Sequence, residues 1–334
     1  MYRIVVIGCG KIGAGMGRFS AALEPWSHAG VFHDHETTEL AALVDSDEAQ
    51  LAACKTHFPG IPTFTSVADA IHSTKPDLVV VATGTGSHAP IVKELAGLGV
   101  KTILCEKPLA DSESASREMI QLCKEKGILL LVNHIRRFDP VIQEAKKRLP
   151  EIGEILQLSG HYSLGVRHNG VHLYDLMRFF AGDVKDVIGL RNEKTETKTA
   201  TVKDIDVDGL FTFNSGARGT IQAHDGADFG MFTLEIFGRT GSIHIDQHGF
   251  TTELRTIQES ADFIGYMELT PRGKNVTGIP RNWMRSMADH VVAVLDGKET
   301  PLATGEDGLK AVLIGEALKQ SAEQGGTRIT IPNA

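Results

Sequence analysis

Apolar residues fall in short, largely unbroken runs through the first half of the chain. Runs at Arg3–Ile7, Leu40–Val44, Leu78–Ala82, Thr102–Cys105 and Ile128–Val132 read as strands. Strands without polar alternation are those covered on both faces, as in a parallel sheet. Between them, apolar positions recur at helical spacing over Ile12–Leu23, Glu48–Thr56, Val67–His72, Pro90–Leu98 and Ser112–Lys126. Asp111 and Ser112 suit a helix N-cap, Glu113 complements the dipole in the first turn, and Gly127 suits a left-handed C-terminal cap. Repeated strand–helix units predict a doubly wound parallel sheet.

The pattern changes after Asp139-Pro140. A helix to about Arg148 leads to a boundary at Pro150 and Gly153, and Glu154–His161 then alternates like a half-buried strand. A strongly apolar helix, Val171–Phe180, ends at Gly182. From Val184 to about Leu254 the chain reads as consecutive strands. Turn signals separate them at Asn214-Ser215-Gly216, Asp225-Gly226, Gly238-Arg239-Thr240-Gly241 and Gln247-His248-Gly249. Residues 258–280 carry no clear period, and two helices (Trp283–Leu295, Gly308–Gln324) precede a last strand, Thr327–Ile331. The expected fold class is α/β followed by α+β: residues 1–138 as a dinucleotide-binding domain, and residues 139–334 as a domain with a large, mostly antiparallel sheet. A length of 334 residues also favours two cores over one.

Composition narrows the function. A formal charge of -8 offers no basic footprint for nucleic acid. No apolar run approaches the roughly 20 residues needed to span a bilayer. The N-terminus enters a strand and a glycine loop rather than a signal-peptide pattern. The four cysteines lack CxxC or metal-ligand spacing, so they read as reduced thiols in a cytoplasmic protein with no metal site.

The glycine loop is the first chemical signal. Gly8, Cys9, Gly10, Lys11, Ile12 and Gly13 follow a strand and open a helix, the context a dinucleotide fingerprint requires. Gly8 permits the tight turn, Gly10 lets a pyrophosphate approach the backbone, and Gly13 allows close helix–strand packing. At the end of the second strand, a carboxylate at Asp45 would accept from ribose hydroxyls and repel a 2′-phosphate, favouring NAD over NADP; Asp45 would equally suit a turn cap. The spacing from Gly13 exceeds the usual one because of an insert at 24–36, read as a solvated loop bearing His33-Asp34-His35. Ala82, Thr83 and Gly84 end the third strand with small residues, suited to a cofactor crevice, and His88 either lines that crevice or begins the next helix.

The second signal is Glu106-Lys107-Pro108. A lysine at the end of a buried strand can donate to a substrate oxygen and stabilise alkoxide charge, with burial lowering its pKa. Glu106 would orient it or contact the cofactor ribose. A strand-end salt bridge is the alternative for Lys107. His172 and Asp175, spaced i,i+3, share a face of the apolar helix. There His172 is either a general base or a core histidine packed among Leu173, Leu176 and Met177.

With these residues in place, the chain resembles the glucose–fructose oxidoreductase / inositol dehydrogenase / MocA family over nearly its whole length. Glu106-Lys107-Pro108, the run Asn133–Pro140 and the segment Gly170–Asp175 carry the resemblance, together with Thr233–Gly241 and the stretch from Gly297 to Glu323. It implies a Rossmann domain holding NAD or NADP, with Lys107 and His172 as catalytic residues. It also implies a nicotinamide packed against the second domain's open sheet and a homo-oligomer, dimer or tetramer, built on that sheet's other face. Many members carry an aspartate four residues before the catalytic histidine. In this chain that position is His168, followed by Asn169, so the lysine–aspartate–histidine relay is incomplete. Arg137, Tyr162, His168, Asn169 and Asp175 are substrate candidates, with Tyr174 and His161 as further hydroxyl binders. The expected reaction is hydride transfer between a nicotinamide cofactor and a secondary alcohol or ketone of a sugar, cyclitol or sugar nucleotide. The rivals are a dinucleotide-sensing regulator and a retained-NAD glycoside-cleaving enzyme.

Overall fold

The computed structural model describes residues 1–15, 26–195, 197–199, 202–246, 251–273, 276–278 and 283–332. Contacts divide the chain into two units: Met1–Phe138 with Arg281–Val312, and Asp139–Pro280 with Leu313–Ala334. The segment 281–312 thus belongs with the first unit, whereas a single break at 138 would assign it to the second.

Among its described residues the first unit holds six strands, all parallel: β1 (Tyr2–Ile7), β2 (Thr38–Val44), β3 (Thr63–Phe64), β4 (Leu78–Val81), β5 (Thr102–Cys105) and β6 (Leu129–Val132). Their order is β3-β2-β1-β4-β5-β6. The two-residue β3 is too short to leave a period in the sequence. Alternation along β1 sends Ile4 and Val6 into one apolar layer and Val5 and Ile7 into the other, which is why the run is unbroken. Helices α1 (His28–Asp34), α2 (Glu48–His57), α3 (Val67–Thr74), α4 (His88–Gly97) and α5 (Glu113–Lys126) connect the strands. Ser112 caps α5 by accepting from the Ala115 N–H, and Gly127 ends it with a φ of +63°.

One expectation needs correction, and another falls largely outside the described residues. Among the described residues, 26–36 are no solvated loop. Ser27 caps α1 through the Gly30 N–H, His28–Asp34 are helical, and Ala29, Val31 and Phe32 enter the core. His33 pairs with Asp34, while His35 contacts Asp289, and among the described residues no cluster suited to a metal occurs. The helix expected over Ile12–Leu23 is described only for Lys11–Gly15, a wide turn in which the Gly15 N–H donates to the Gly10 carbonyl at 2.7 Å; residues 16–25 lie outside the described residues.

In the second unit, α6 (Pro140–Ile152) runs one turn beyond Arg148. Pro150 sits in its last turn, and Gly153, at φ +71°, ends it. The sheet is built from β7 (Ile155–Ser163), β8 (Val184–Arg191), β11 (Val207–Phe213), β12 (Arg218–His224), β13 (Phe232–Gly238), β14 (Gly241–Asp246), β15 (Thr251–Glu259), β16 (Met267–Leu269), β17 (Val276–Gly278) and β18 (Ile329–Thr330). The short pair β9 (Thr197–Thr199) and β10 (Val202–Asp204) stands apart. The order is β16-β15-β14-β13-β7-β12-β11-β8-β18, with β17 beside β15. Among the described residues only β7–β12 pairs in parallel, and the other pairs of the sheet are antiparallel. Strands β16 and β17 lie inside the stretch that gave no period, and the turn at 247–249 is outside the described residues. One face packs on α7 (Gly170–Ala181): a side chain at Gly160 of β7 would come within 2.8 Å of Leu173. On β11 the alternation is clear, with Gly209, Phe211 and Phe213 buried and Leu210 half exposed. Helices α8 (Trp283–Leu295) and α9 (Gly305–Glu323) follow. Met284, Met287, Ala288 and Val291 of α8 join the core of the first unit.

Candidate active site

Strand order in the first sheet reverses between β1 and β4, so the carboxyl ends of these strands diverge and open a crevice. The glycine loop sits at the end of β1. Gly8 has φ +96°, and any Cβ there would lie 2.7 Å from the Ala82 carbonyl on the neighbouring strand end. A Cβ at Gly13 would collide with the carbonyl oxygen of Gly8. Gly10 has a different reason: no protein atom lies within 4 Å of its Cβ position, so the space beside it is open. Ile12 exposes an apolar side chain on the same turn, and Lys11 is exposed. At the end of β4, Ala82 is buried, Gly84 is exposed, and the buried Thr83 Oγ1 has no hydrogen-bond partner among the described residues. An open glycine edge, an apolar ledge and an unsatisfied hydroxyl fit a dinucleotide.

Two members of this loop behave differently from their sequence reading. The Cys9 N–H donates to Asp45 Oδ2 at 2.7 Å, so it is already engaged. The Cys9 thiol is buried, and burial pushes its pKa up. Asp45 Oδ1 accepts from the Asp47 N–H at 2.9 Å. Asp45 therefore does cap a turn. Its carboxylate is partly exposed at the end of β2 and fixed in place by these two donors.

Lys107 follows β5, one strand beyond β4, and its bond to Pro108 is cis. Burial lowers the pKa of Lys107; the Glu106 carboxylate opposes that shift and Arg136 adds to it. Glu106 is buried. Burial disfavours its charged form, yet hydrogen bonds from His28 and Asn133 and the charge of Lys107 outweigh it, so its pKa lies below the ordinary carboxylate range. His28 Nε2 is 2.8 Å, and Asn133 Nδ2 2.7 Å, from Glu106 Oε1.

His88 is a correction. It is wholly buried and does not line the crevice. Its Nδ1 lies 3.1 Å from the Pro108 carbonyl and its Nε2 3.1 Å from the Thr83 carbonyl, so it braces the loop after Lys107 against the end of β4. Arg137 is another. It is buried, donates to the Leu302 carbonyl at 2.8 Å and pairs with Asp307 at 3.2 Å, an internal brace of the first unit.

In the second unit, His172 and Asp175 lie on α7 as the spacing requires, and both are buried. Asp175 lies 3.9 Å from Arg178. Ahead of α7, Leu164 adopts φ +71° and Gly165–Asn169 form a wide helical turn. Asp206 Oδ1 accepts from the Gly165 N–H at 3.0 Å. Asp204 Oδ2 accepts from the N–H groups of Arg167 and His168 at 2.7 and 2.9 Å. A side chain at Gly165 would collide with Asp204. His168 is exposed, and Asn169 is partly exposed and makes no side-chain cap to α7.

Tyr162 and Tyr174 are not hydroxyl binders on a surface, since both are fully buried and burial raises the pKa of each. The Tyr162 hydroxyl donates to the Val207 carbonyl at 2.8 Å and accepts from the Val207 N–H at 3.0 Å. His161 Nδ1 lies 3.0 Å from His224 Nε2, and burial followed by the neighbouring His224 lowers its pKa.

Sequence reasoning missed His28, Asn133, Asp204 and Asp206. His28 lay in the presumed loop. Asp204 and Asp206 carried a legible signal: alternating carboxylates entering a strand, where a charge pointing inward must meet donors.

Comparison with known proteins agrees with this geometry. Residues 2–134 match the model of the oxidoreductase family with an NAD-binding Rossmann fold, and residues 165–331 match that family's C-terminal alpha/beta domain. The myo-inositol 2-dehydrogenase of Thermotoga maritima is 24% identical over 344 residues, covering 96% of this chain and 96% of that one. The NAD-dependent scyllo-inositol 2-dehydrogenase of Bacillus subtilis is 28% identical over 276 residues, covering 75% and 76%. The WlbA dehydrogenase of Bordetella pertussis, solved with NADH and UDP-GlcNAcA, superposes with a TM-score of 0.80 at 20% identity, covering 100% of this chain and 98% of that one. With both halves matched and the dinucleotide cradle in place, the chain belongs to the Gfo/Idh/MocA family of NAD-dependent oxidoreductases.

Proposed function

We propose that the protein transfers a hydride between NAD and a secondary alcohol, or the corresponding ketone, of a sugar, cyclitol or sugar nucleotide. The observation that carries this reading is Lys107, desolvated beside an ionised Glu106 at the end of β5, in the sheet whose β1 end bears the glycine loop. The two inositol dehydrogenases among its relatives, and the sugar nucleotide bound to the WlbA structure, support the substrate class.

When bound, NAD supplies the hydride acceptor. Gly8, Gly10, Gly13, Ala82, Thr83 and Gly84 provide its cradle, and the Asp45 carboxylate favours a free ribose 2′-hydroxyl over a phosphate. Lys107 donates to the reacting oxygen and stabilises negative charge as it develops there. His172 takes the hydroxyl proton as the carbon-bound hydride leaves, and returns it in the reverse direction. His168, Asn169 and Asp175 bind or orient substrate hydroxyls. His168 stands where many members carry a carboxylate, so the proton rests on His172 without an aspartate four residues before it.

The chain works as a homodimer or homotetramer in the cytoplasm. Half-exposed Leu190 and Leu210 on the second sheet support self-association, and four buried free cysteines support a reducing compartment. Among the described residues no helix is long and apolar enough to cross a membrane.

Lys107→Met and His172→Ala test the assignment. Each is expected to lower kcat/KM by about 10²- to 10⁴-fold while NADH binding, followed by fluorescence, persists. Normal turnover in both variants would overturn the catalytic roles of Lys107 and His172.

A further inference from the structure

Behind Lys107 lies a buried cluster that takes no part in the steps above. Two distant chain segments meet on one oxygen of the Glu106 carboxylate. His28, wholly buried on α1, brings Nε2 to 2.8 Å from Glu106 Oε1. Asn133, just past β6, donates to the same oxygen at 2.7 Å. The second carboxylate oxygen accepts the backbone N–H of Lys107 at 3.1 Å. The carboxylate is therefore tied to the backbone that presents the ammonium group.

Packing does not explain an imidazole at this position. His28 Nδ1 and Asn133 Oδ1 are buried and have no hydrogen-bond partner among the described residues. An aliphatic side chain at position 28 would fill the inner face of α1 and leave no ring nitrogen unsatisfied. What an aliphatic residue cannot do is donate to a buried carboxylate, which needs donors to stay ionised.

Building on the role of Lys107, we propose that His28 is a positioning residue for hydride transfer: with Asn133 it pins the Glu106 carboxylate, and through it the placement of Lys107. Four titratable groups besides His28 matter around this pair. They are Glu106 itself, Lys107, Arg136 from the turn after β6, and the Cys105 thiol, whose pKa burial pushes up. In the native protein Glu106 is ionised throughout the neutral range, because its pKa lies below the ordinary value. Without the His28 donor, burial acts against fewer opposing contacts and the pKa rises. The carboxyl then takes up a proton at a higher pH than in the native protein.

The test uses the full chain and four variants: His28→Leu, His28→Gln, Glu106→Gln and the His28→Leu/Glu106→Gln double variant. Infrared difference spectra between about pH 6 and pH 8.5 read the carbonyl stretch of a protonated carboxylic acid. The expected result is a new band in His28→Leu that is weak in His28→Gln, whose amide keeps a donor, and absent from the double variant. Turnover is measured on the most active alcohol from a panel of cyclitols, hexoses and nucleotide sugars. His28→Leu should lose at least about tenfold in kcat at pH 6, with NADH affinity little changed, and should add nothing to Glu106→Gln. His28→Gln, which retains a polar chain of similar reach, keeps the comparison alive where His28→Leu fails to fold: it should show the same changes in smaller degree. A folded His28→Leu with a native spectrum and a native pH profile would overturn the proposal. Lys107→Met separates the two readings. Normal turnover there removes the role of Lys107, and with it this proposal; inactive Lys107→Met beside unaffected His28→Leu removes the His28 role alone.

Discussion

Asp45 holds a turn, and the proposed preference for NAD over NADP rests on the same side chain. Its carboxylate is pinned by the N–H groups of Cys9 and Asp47, so it cannot swing away from an incoming 2′-phosphate. Asp45→Ser is expected to move the ratio of kcat/KM for NAD over NADP at least tenfold toward NADP, read by initial rates with each cofactor; the gain comes from lost repulsion. An unchanged ratio would place cofactor selection elsewhere. Lys107, Glu106 and Asp45 were legible in the sequence because each follows an apolar run at a strand end, where chemistry gathers in a doubly wound sheet. The misreadings share one cause. His88, Arg137, Tyr162 and Tyr174 are polar residues near the site in sequence, but all four are buried, and His88, Arg137 and Tyr162 reach internal backbone carbonyls such as Thr83, Leu302 and Val207. Residue type alone does not tell a ligand-facing donor from a satisfied buried one.

Adjacent strands of the second sheet carry an ion network that no single strand reveals. Glu235 of β13 meets His244 of β14 at 2.6 Å and Arg272 at 2.8 Å, and Arg272 also reaches Glu253 of β15 at 3.4 Å. Burial raises the pKa of Glu235, but His244 and Arg272 outweigh it and hold the carboxyl at about 2. A depressed folded-state pKa stabilises the fold above the unfolded value and loses that contribution as the pH falls toward the folded one. The full shift would be worth about 3 kcal/mol, and screening at the half-exposed Arg272 reduces it to about 1 kcal/mol. Glu235→Gln should therefore destabilise the protein by about that amount at pH 7 and by little near pH 2, measured by urea unfolding at both values. Equal losses at both would show that the carboxylate acts through shape and not charge. The strands themselves were well marked, since alternation and glycine turns survive in an antiparallel sheet. Helix α1 was hidden because it spans only about two turns, and His28, His33 and Asp34 flank its one short apolar patch at Ala29, Val31 and Phe32.

The division into two units explains which part of the chemistry the sequence could carry. The cradle, Glu106 and Lys107 lie together in the first unit; His172, Asp175 and the Asp204-clamped turn lie in the second. Each half has its own local signature, and both halves match one family. The return of residues 281–312 to the first unit was not legible, because helical spacing reports an apolar face but not the core that covers it. Substrate identity is equally hidden, since the turn 165–169 is set by carboxylates some forty residues away in sequence.

Initial rates of NAD reduction across cyclitols, hexoses, sugar acids and nucleotide sugars test the assigned reaction most directly, with absorbance of the reduced nicotinamide as the readout. Saturable reduction of NAD, faster than of NADP, by at least one polyhydroxylated secondary alcohol is the expected result. Tight NADH binding with no turnover of any alcohol or ketone in the panel, in either direction, would contradict it.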